Sequence, residues 1–188
     1  MITYQSTRGS SKKLLFQDII LSGVAEDKGL YLPNSTSLEN LSYLTQEDLN
    51  YEDFVKTIFI ALDENSAKYV DDLSIYPGFE SSPTPTLKEI EENKYVMELF
   101  HGPTKSFKDY ALQPLGAIAD RRLDELGERG LVIVATSGDT GSAAIQSVKN
   151  SKNIDIVVLH PHNKVSEYQR RQMTEVIQDN VLNIAIEG

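Results

Sequence analysis

Two short stretches hold residues whose types and spacing could do chemistry. The first is His101-Gly102-Pro103-Thr104-Lys105-Ser106-Phe107-Lys108, a rigid polar turn that ends on a lysine beside an aromatic ring. A lysine amine forms a Schiff base with a carbonyl only when neutral, a state favoured by partial burial or by a neighbouring cation. Lys108 is the candidate amine and Lys105 the candidate cation. The residue types equally allow two exposed loop lysines with Phe107 in a core, since lysine is seldom buried. The second stretch is Thr136-Ser137-Gly138-Asp139-Thr140-Gly141. Glycines, hydroxyl side chains and a carboxylate ahead of a helical pattern suit a helix N-terminus, whose free N–H groups and positive dipole end attract anions. Gly138 and Gly141 would let a ligand approach the backbone closely. The alternative is a plain strand-to-helix turn capped by Asp139 or Thr140. Neither the Gly-Lys-Ser/Thr ending of a Walker loop nor G-x-G-x-x-G is present.

Hydrophobic spacing outlines the elements that must position these loops. Residues 95–100 and the unalternating run Leu131-Val132-Ile133-Val134-Ala135 read as strands, the second as one buried on both faces. A helix is expected from about Asp109 to Leu126, with Pro114 tolerable only near its first turn and Gly127 as its stop. Another helix follows the second loop through Ala143, Ala144, Ile145 and Val148. Ile154–Leu159 reads as a buried strand and Val181–Ile186 as a last one. Between them Ser166-x-x-Gln169 has capping-box spacing, and Gln172, Met173, Val176 and Ile177 continue that helix. Strands alternating with helices imply a mostly parallel sheet with flanking helices. Both loops then leave the carboxyl ends of strands on one rim, where such sheets bind ligands.

Residues 1–80 differ in character and read as an N-terminal, mostly helical domain. Ile2–Ser6 suits a short strand, Leu14–Leu21 a short helix, and Gly29-Leu30-Tyr31-Leu32-Pro33 a brief extended piece. Tyr51, Phe54, Val55, Ile58, Phe59 and Leu62 share one helical face, so 51–62 is a helix. Ser81-Ser82-Pro83-Thr84-Pro85-Thr86 breaks the pattern, and 81–94 reads as a linker or crossover into an α/β region over 95–188.

Composition narrows the function classes. Hydrophobic residues make up 40% and charged residues 24%, the balance of a soluble globular chain. A net charge of −10 with scattered basic residues argues against nucleic acid as partner. No apolar run reaches the roughly 20 residues of a membrane span, and no secretory signal pattern opens the chain. The absence of cysteine excludes disulfides and thiolate chemistry and suits the cytoplasm. No metal site is expected either, because His160-Pro161-His162 lacks metal-ligand spacing.

Several stretches, in order, resemble one family. Glu98–Thr104 followed by Phe107-Lys108-Asp109 resembles the cofactor-lysine motif of threonine synthases, and Ala135–Ala144 resembles their second signature. Tyr4 with Ser6-Thr7-Arg8-Gly9, then Gly29–Pro33, Gln169–Thr174 and Asn183–Gly188, are similar to further blocks of the same family. The resemblance is weakest from about 34 to 80. Lys28 stands where the family more often has glycine, and Glu175 where threonine is usual.

The resemblance implies a pyridoxal-phosphate enzyme of the second structural type, with 95–188 as the first part of the cofactor-binding region. Lys108 would carry pyridoxal 5'-phosphate and move protons, Phe107 would pack beside the cofactor ring, and Ser137, Gly138, Asp139 and Thr140 would face cofactor and substrate. The substrate would be O-phospho-L-homoserine, converted with water to L-threonine and phosphate. Family members are much longer, and their cofactor-phosphate loop lies beyond Gly188. The expectation is therefore an N-terminal fragment that binds the cofactor weakly and turns nothing over. A truncated, inactive interaction module, self-associating through exposed apolar surface, and a threonine-synthase-like phospho-lyase are the alternatives.

Overall fold

The computed structural model describes residues 2–10, 12–35 and 49–187, which fall into two compact units, Met1–Ser74 and Ile75–Gly188. Gly188, the end of the last family-like block, lies outside the described residues.

In the first unit, β1 (Tyr4–Ser6) pairs antiparallel with β2 (Tyr31–Pro33). The two are tied at their ends by Asp27, whose carboxylate accepts from the Ser6 hydroxyl at 2.6 Å and the Gly29 N–H at 3.0 Å. Those donors lower the Asp27 pKa below the usual carboxylate range. A side chain at Gly29 would strike the Ser6 hydroxyl at 2.1 Å, so two family-like blocks that are distant in sequence meet here. The segment expected to be helical over 14–21 shortens to α1 (Phe16–Ile19), which buries Phe16 between the rings of Tyr4 and Tyr69. Helix α2 (Tyr51–Leu62) has the expected bounds and is capped by Asn50, whose side chain accepts from the Asp53 N–H at 2.9 Å. A 3-10 turn (Glu64–Ser66) and α3 (Ala67–Val70) follow, with Tyr69 and Val70 fully buried. Burial and the adjacent Asp63 carboxylate push the Tyr4 hydroxyl pKa up.

In the second unit the strand at 95–100 departs from expectation. It forms β4 (Lys94–Glu98) and pairs antiparallel with β3 (Thr86–Glu91), not with the parallel sheet. Strand β3 lies inside the stretch 81–94 read as a linker; its side chains are all exposed, so no buried face marks it in the sequence. The parallel sheet has the order β5-β6-β7, from Gly130–Ala135, Ile154–Pro161 and Val181–Ile186. Central β6 alternates buried and half-buried residues, and Ile154, Ile156 and Val158 join Ile145, Val148, Leu123 and Met173 in the core. Strand β5 corrects the reading of a strand buried on both faces: as a sheet edge it leaves Leu131 60% and Ile133 65% exposed. Composition records what a strand's side chains are, not what covers them.

Helix α4 (Asp109–Leu126) precedes β5, α5 (Asp139–Val148) connects β5 to β6, and α6 (Glu167–Thr174) connects β6 to β7. Helix α6 has the expected capping box but stops at Thr174, leaving Ile177 89% exposed. Gly127 ends α4 with φ 65°. Pro114 is not in the first turn but inside the helix. Lacking an N–H, it cannot bond the Tyr110 carbonyl one turn back; the Tyr76 hydroxyl donates to that carbonyl instead, at 3.1 Å. Helices α4 and α5 approach where Gly116 meets Ser147, and a side chain at Gly116 would lie 2.7 Å from the Ser147 carbonyl. Lys108 at the start of α4 and Gly138, Asp139 and Thr140 at the start of α5 line one depression, so the two N-termini share one end of the unit.

Two predictions follow from this packing. Gly116→Ala should lower stability by about 1–3 kcal/mol in urea unfolding, because a backbone carbonyl cannot yield and the gain in helix propensity is only about 1 kcal/mol. Lys28, the position where the family more often has glycine, has φ 63°. Lys28→Gly should raise the thermal midpoint, by relief of about 1 kcal/mol of left-handed strain; an unchanged or lower midpoint would contradict this.

Candidate functional site

Lys108 occupies the N-cap position of α4, held by its own carbonyl, which accepts from the Leu112 N–H at 2.9 Å, and by its N–H, which donates to the Ser106 hydroxyl at 3.3 Å. What shapes the loop before it is Asp109, the first residue of α4, with no exposed surface. Its carboxylate accepts from the Thr104 N–H at 2.9 Å, and the Thr104 hydroxyl lies 3.0 Å from both oxygens. A side chain at Gly102 would collide with that carboxylate at 2.4 Å, so glycine there lets the chain wrap the acid. Burial pushes the Asp109 pKa up, while the Thr104 and Ser106 donors and the Lys105 charge hold it back. Asp109 stands in the motif, but its type alone gave no sign of this part; the signal was an acid in the first turn of a helix.

Phe107 is not core. It is 61% exposed, and the Lys108 amine sits 4.4 Å from its ring centroid, where a cation and a ring face attract. Lys105 is exposed, with φ 61°, and does not line the depression that Lys108 lines. That depression, of about 300 Å³, is open and polar, and brings Lys108 together with Ser137, Gly138, Asp139, Thr140 and Gln169. All the candidate residues of the second loop therefore share a wall with Lys108; Phe107 does not line it.

The second loop is not capped by Asp139 or Thr140. Gly138 is the N-cap residue of α5, and the cap comes from Thr136, whose hydroxyl accepts from the N–H groups of Gly138 at 3.1 Å and Gly141 at 3.2 Å. Among the described residues, the N–H groups of Asp139 and Thr140 meet no acceptor. They are the donors an anion could use. Neither glycine leaves room for a ligand. The space beside Gly138 is taken by the Gln169 amide, 2.4 Å from where a side chain would begin, and that beside Gly141 by Thr136, Met173 and Val158.

The sequence reading placed Gln169 in a capping box and Gln172 on the same helix but gave neither a part in the site, where both join the loops. Gln169 donates to Asp139 Oδ1 at 2.7 Å, and Gln172 donates to the Thr104 carbonyl at 2.8 Å. Their spacing of three places both on one helix face, the signal that could have found them. His160 is buried with Nδ1 unpartnered, and among the described residues no group of His, Cys, Asp and Glu could hold a metal ion. No described helix is long and apolar enough to cross a membrane.

Fold and site define an α/β unit that sets a lysine amine against the unfilled N–H groups of a helix end. Residues 3–69 match the family described as the threonine synthase N terminus. Threonine synthase of Pseudomonas aeruginosa is 44% identical over 98% of this chain, and threonine synthase-like 2 of Mus musculus is 36% identical over 98%. Among solved structures, the pyridoxal-phosphate-bound threonine synthase of Brucella melitensis superposes with a TM-score of 0.88 at 36% identity over 100% of the chain. That from yeast does so with 0.86 at 29% identity over 99%. The chain covers 40% of the Pseudomonas and mouse proteins and 42% of the Brucella one, about two-fifths of each. Along its length the chain is thus the counterpart of the N-terminal portion of threonine synthases.

A raised carboxylate pKa means the folded state holds the Asp109 proton more tightly than the unfolded chain. Its contribution to stability is then full at acid pH and is lost as pH rises through the folded pKa. The wild type should have its largest stability advantage over Asp109→Asn at low pH and lose part of it on going to neutral pH. Thermal midpoints of both proteins across that range test this; an advantage that grows with pH would mean the accepted hydrogen bonds outweigh burial.

Proposed function

We propose that this chain carries the cofactor-lysine half of a threonine synthase site, with Lys108 as the residue that holds pyridoxal 5'-phosphate covalently. The observation that carries this reading is the shared depression: Lys108 and the turn with the open N–H groups of Asp139 and Thr140 line one polar wall, in a chain similar over 98% of its own length to a threonine synthase. The residues fit the group. A lysine on a helix cap has its backbone fixed in place, and two free N–H donors beside it suit an anionic substituent.

When bound, pyridoxal phosphate supplies an electron sink for charge that builds at carbons next to a substrate amino group. The residues of this chain supply the rest. Lys108 moves protons at the α and β carbons of the substrate. The turn formed by Ser137, Gly138, Asp139 and Thr140 binds an anionic group and fixes its orientation. In the overall reaction the γ carbon–oxygen bond of O-phosphohomoserine breaks, phosphate leaves, and water adds its hydroxyl at the β carbon to give threonine. In a second reading phosphate is eliminated without that addition; threonine or a keto acid as product separates the two.

The test is chemical trapping. The chain is incubated with pyridoxal phosphate, reduced with borohydride and mapped by mass spectrometry. The reading expects a pyridoxyl label concentrated on Lys108 and lost in Lys108→Ala. Label spread evenly over Lys105 and the other exposed lysines would sink it.

A further inference from the structure

We propose that Gln169 is a positioning residue that keeps the anion seat of the second loop open by holding the Asp139 carboxylate off its own helix end. The proposal rests on the reading above and deepens it.

The free N–H groups of a helix's first turn, at the positive end of its dipole, attract a carboxylate placed there. Asp139 does not use them: no hydrogen bond joins its carboxylate to α5, and among the described residues the N–H groups of Asp139 and Thr140 stay open. Its Oδ1 is instead bonded to Gln169 Nε2 at 2.7 Å, across 30 residues of sequence. The orientation of the Gln169 amide is fixed by its other end. Oε1 accepts from the Ser166 hydroxyl at 3.0 Å within the capping box of α6, so Nε2 is the atom left to face Asp139. Glycine at 138 makes this possible, since a side chain there would occupy the place of the Gln169 amide. Three residues from two blocks of the sequence, Gly138 and Asp139 in one and Gln169 in the other, therefore act together. Without the Gln169 bond, the carboxylate is free to swing onto the N–H groups of its own turn, where it would both fill the donors and repel an incoming anion. Gln172, one turn on, holds the Thr104 carbonyl of the lysine loop at 2.8 Å and ties the same helix to the other wall of the depression.

The chemical class this seat takes is a small oxyanion, a phosphate or a carboxylate. The probe is inorganic phosphate, followed through the amide resonances of Asp139 and Thr140 in the full chain. Wild type should show saturable shifts at these two amides, and Gln169→Leu should weaken binding about tenfold. Removing Asp139 separates positioning from simple charge. Asp139→Ala should improve phosphate binding about tenfold more in the Gln169→Leu background than in wild type, because only there does the carboxylate occupy the seat. Equal gains in both backgrounds mean the carboxylate acts by charge alone and overturn the proposal. Gln169→Glu keeps the capping box but cannot donate to Asp139; it should behave as Gln169→Leu does, and wild-type affinity in it would overturn the proposal even if the leucine variant unfolds. Absence of any phosphate response in the wild type would also overturn it, while leaving the result of trapping on Lys108 unaffected.

Discussion

A carboxylate with no exposed surface must be given donors, or burial drives it to hold its proton. Asp109 sits in that position, and the whole lysine loop is arranged around it. Thr104 supplies an N–H and a hydroxyl, Gly102 supplies the absence of a side chain, and the acid itself begins α4. The residue before a helix's first position has little freedom. Lys108 is therefore placed by backbone geometry, with its own carbonyl already in the helix ladder, before any ligand contributes. An alanine at 109 would leave Thr104 without its partner and the loop without a reason to close.

Two helices begin at the same end of the unit, and their ends are treated differently. The N-terminus of α4 is matched by the buried Asp109 carboxylate, which takes donors of the loop ahead of it. The N-terminus of α5 carries a carboxylate too, but Gln169 diverts it, and Thr136 caps only the Gly138 and Gly141 N–H groups. Positive potential is thus satisfied internally at one helix and left available at the other. The close approach of Gly116 to Ser147 fixes how the two ends lie beside each other, so the spacing of amine and donors is set by helix packing at a distance from the site.

Much of this was legible in the sequence. The bounds of α2, α4 and β7, the parallel sheet, and the Ser166–Gln169 capping box all follow from periodicity and cap chemistry, because those signals are local. Lys108 and the 136–141 turn were legible as candidates because their residue types are unusual after a strand. What failed to show depends on partners distant in sequence. Nothing local says that β5 lies at an edge or that Tyr76 takes over the carbonyl freed by Pro114, whereas the β3–β4 hairpin closes locally at Glu91 and Lys94 but has no buried face to mark it. The alternative that put Phe107 in a core fails for the same reason, since its ring lies outside, against the amine of Lys108.

The glycines of the second loop show why a motif can be right for a reason other than the obvious one. Beside a helix N-terminus, glycine suggests room for a ligand. Here the room at Gly138 belongs to the Gln169 amide, and the room at Gly141 to Thr136, Met173 and Val158. The first glycine admits the side chain that restrains Asp139; the second lets α5 settle onto β6. Both act on the ligand wall from behind. The open N–H groups are then a property of the assembled β5-α5-β6-α6 unit rather than of the six-residue loop. The loop sequence placed on another scaffold, without a glutamine positioned as Gln169 is, would be expected to close on its own aspartate.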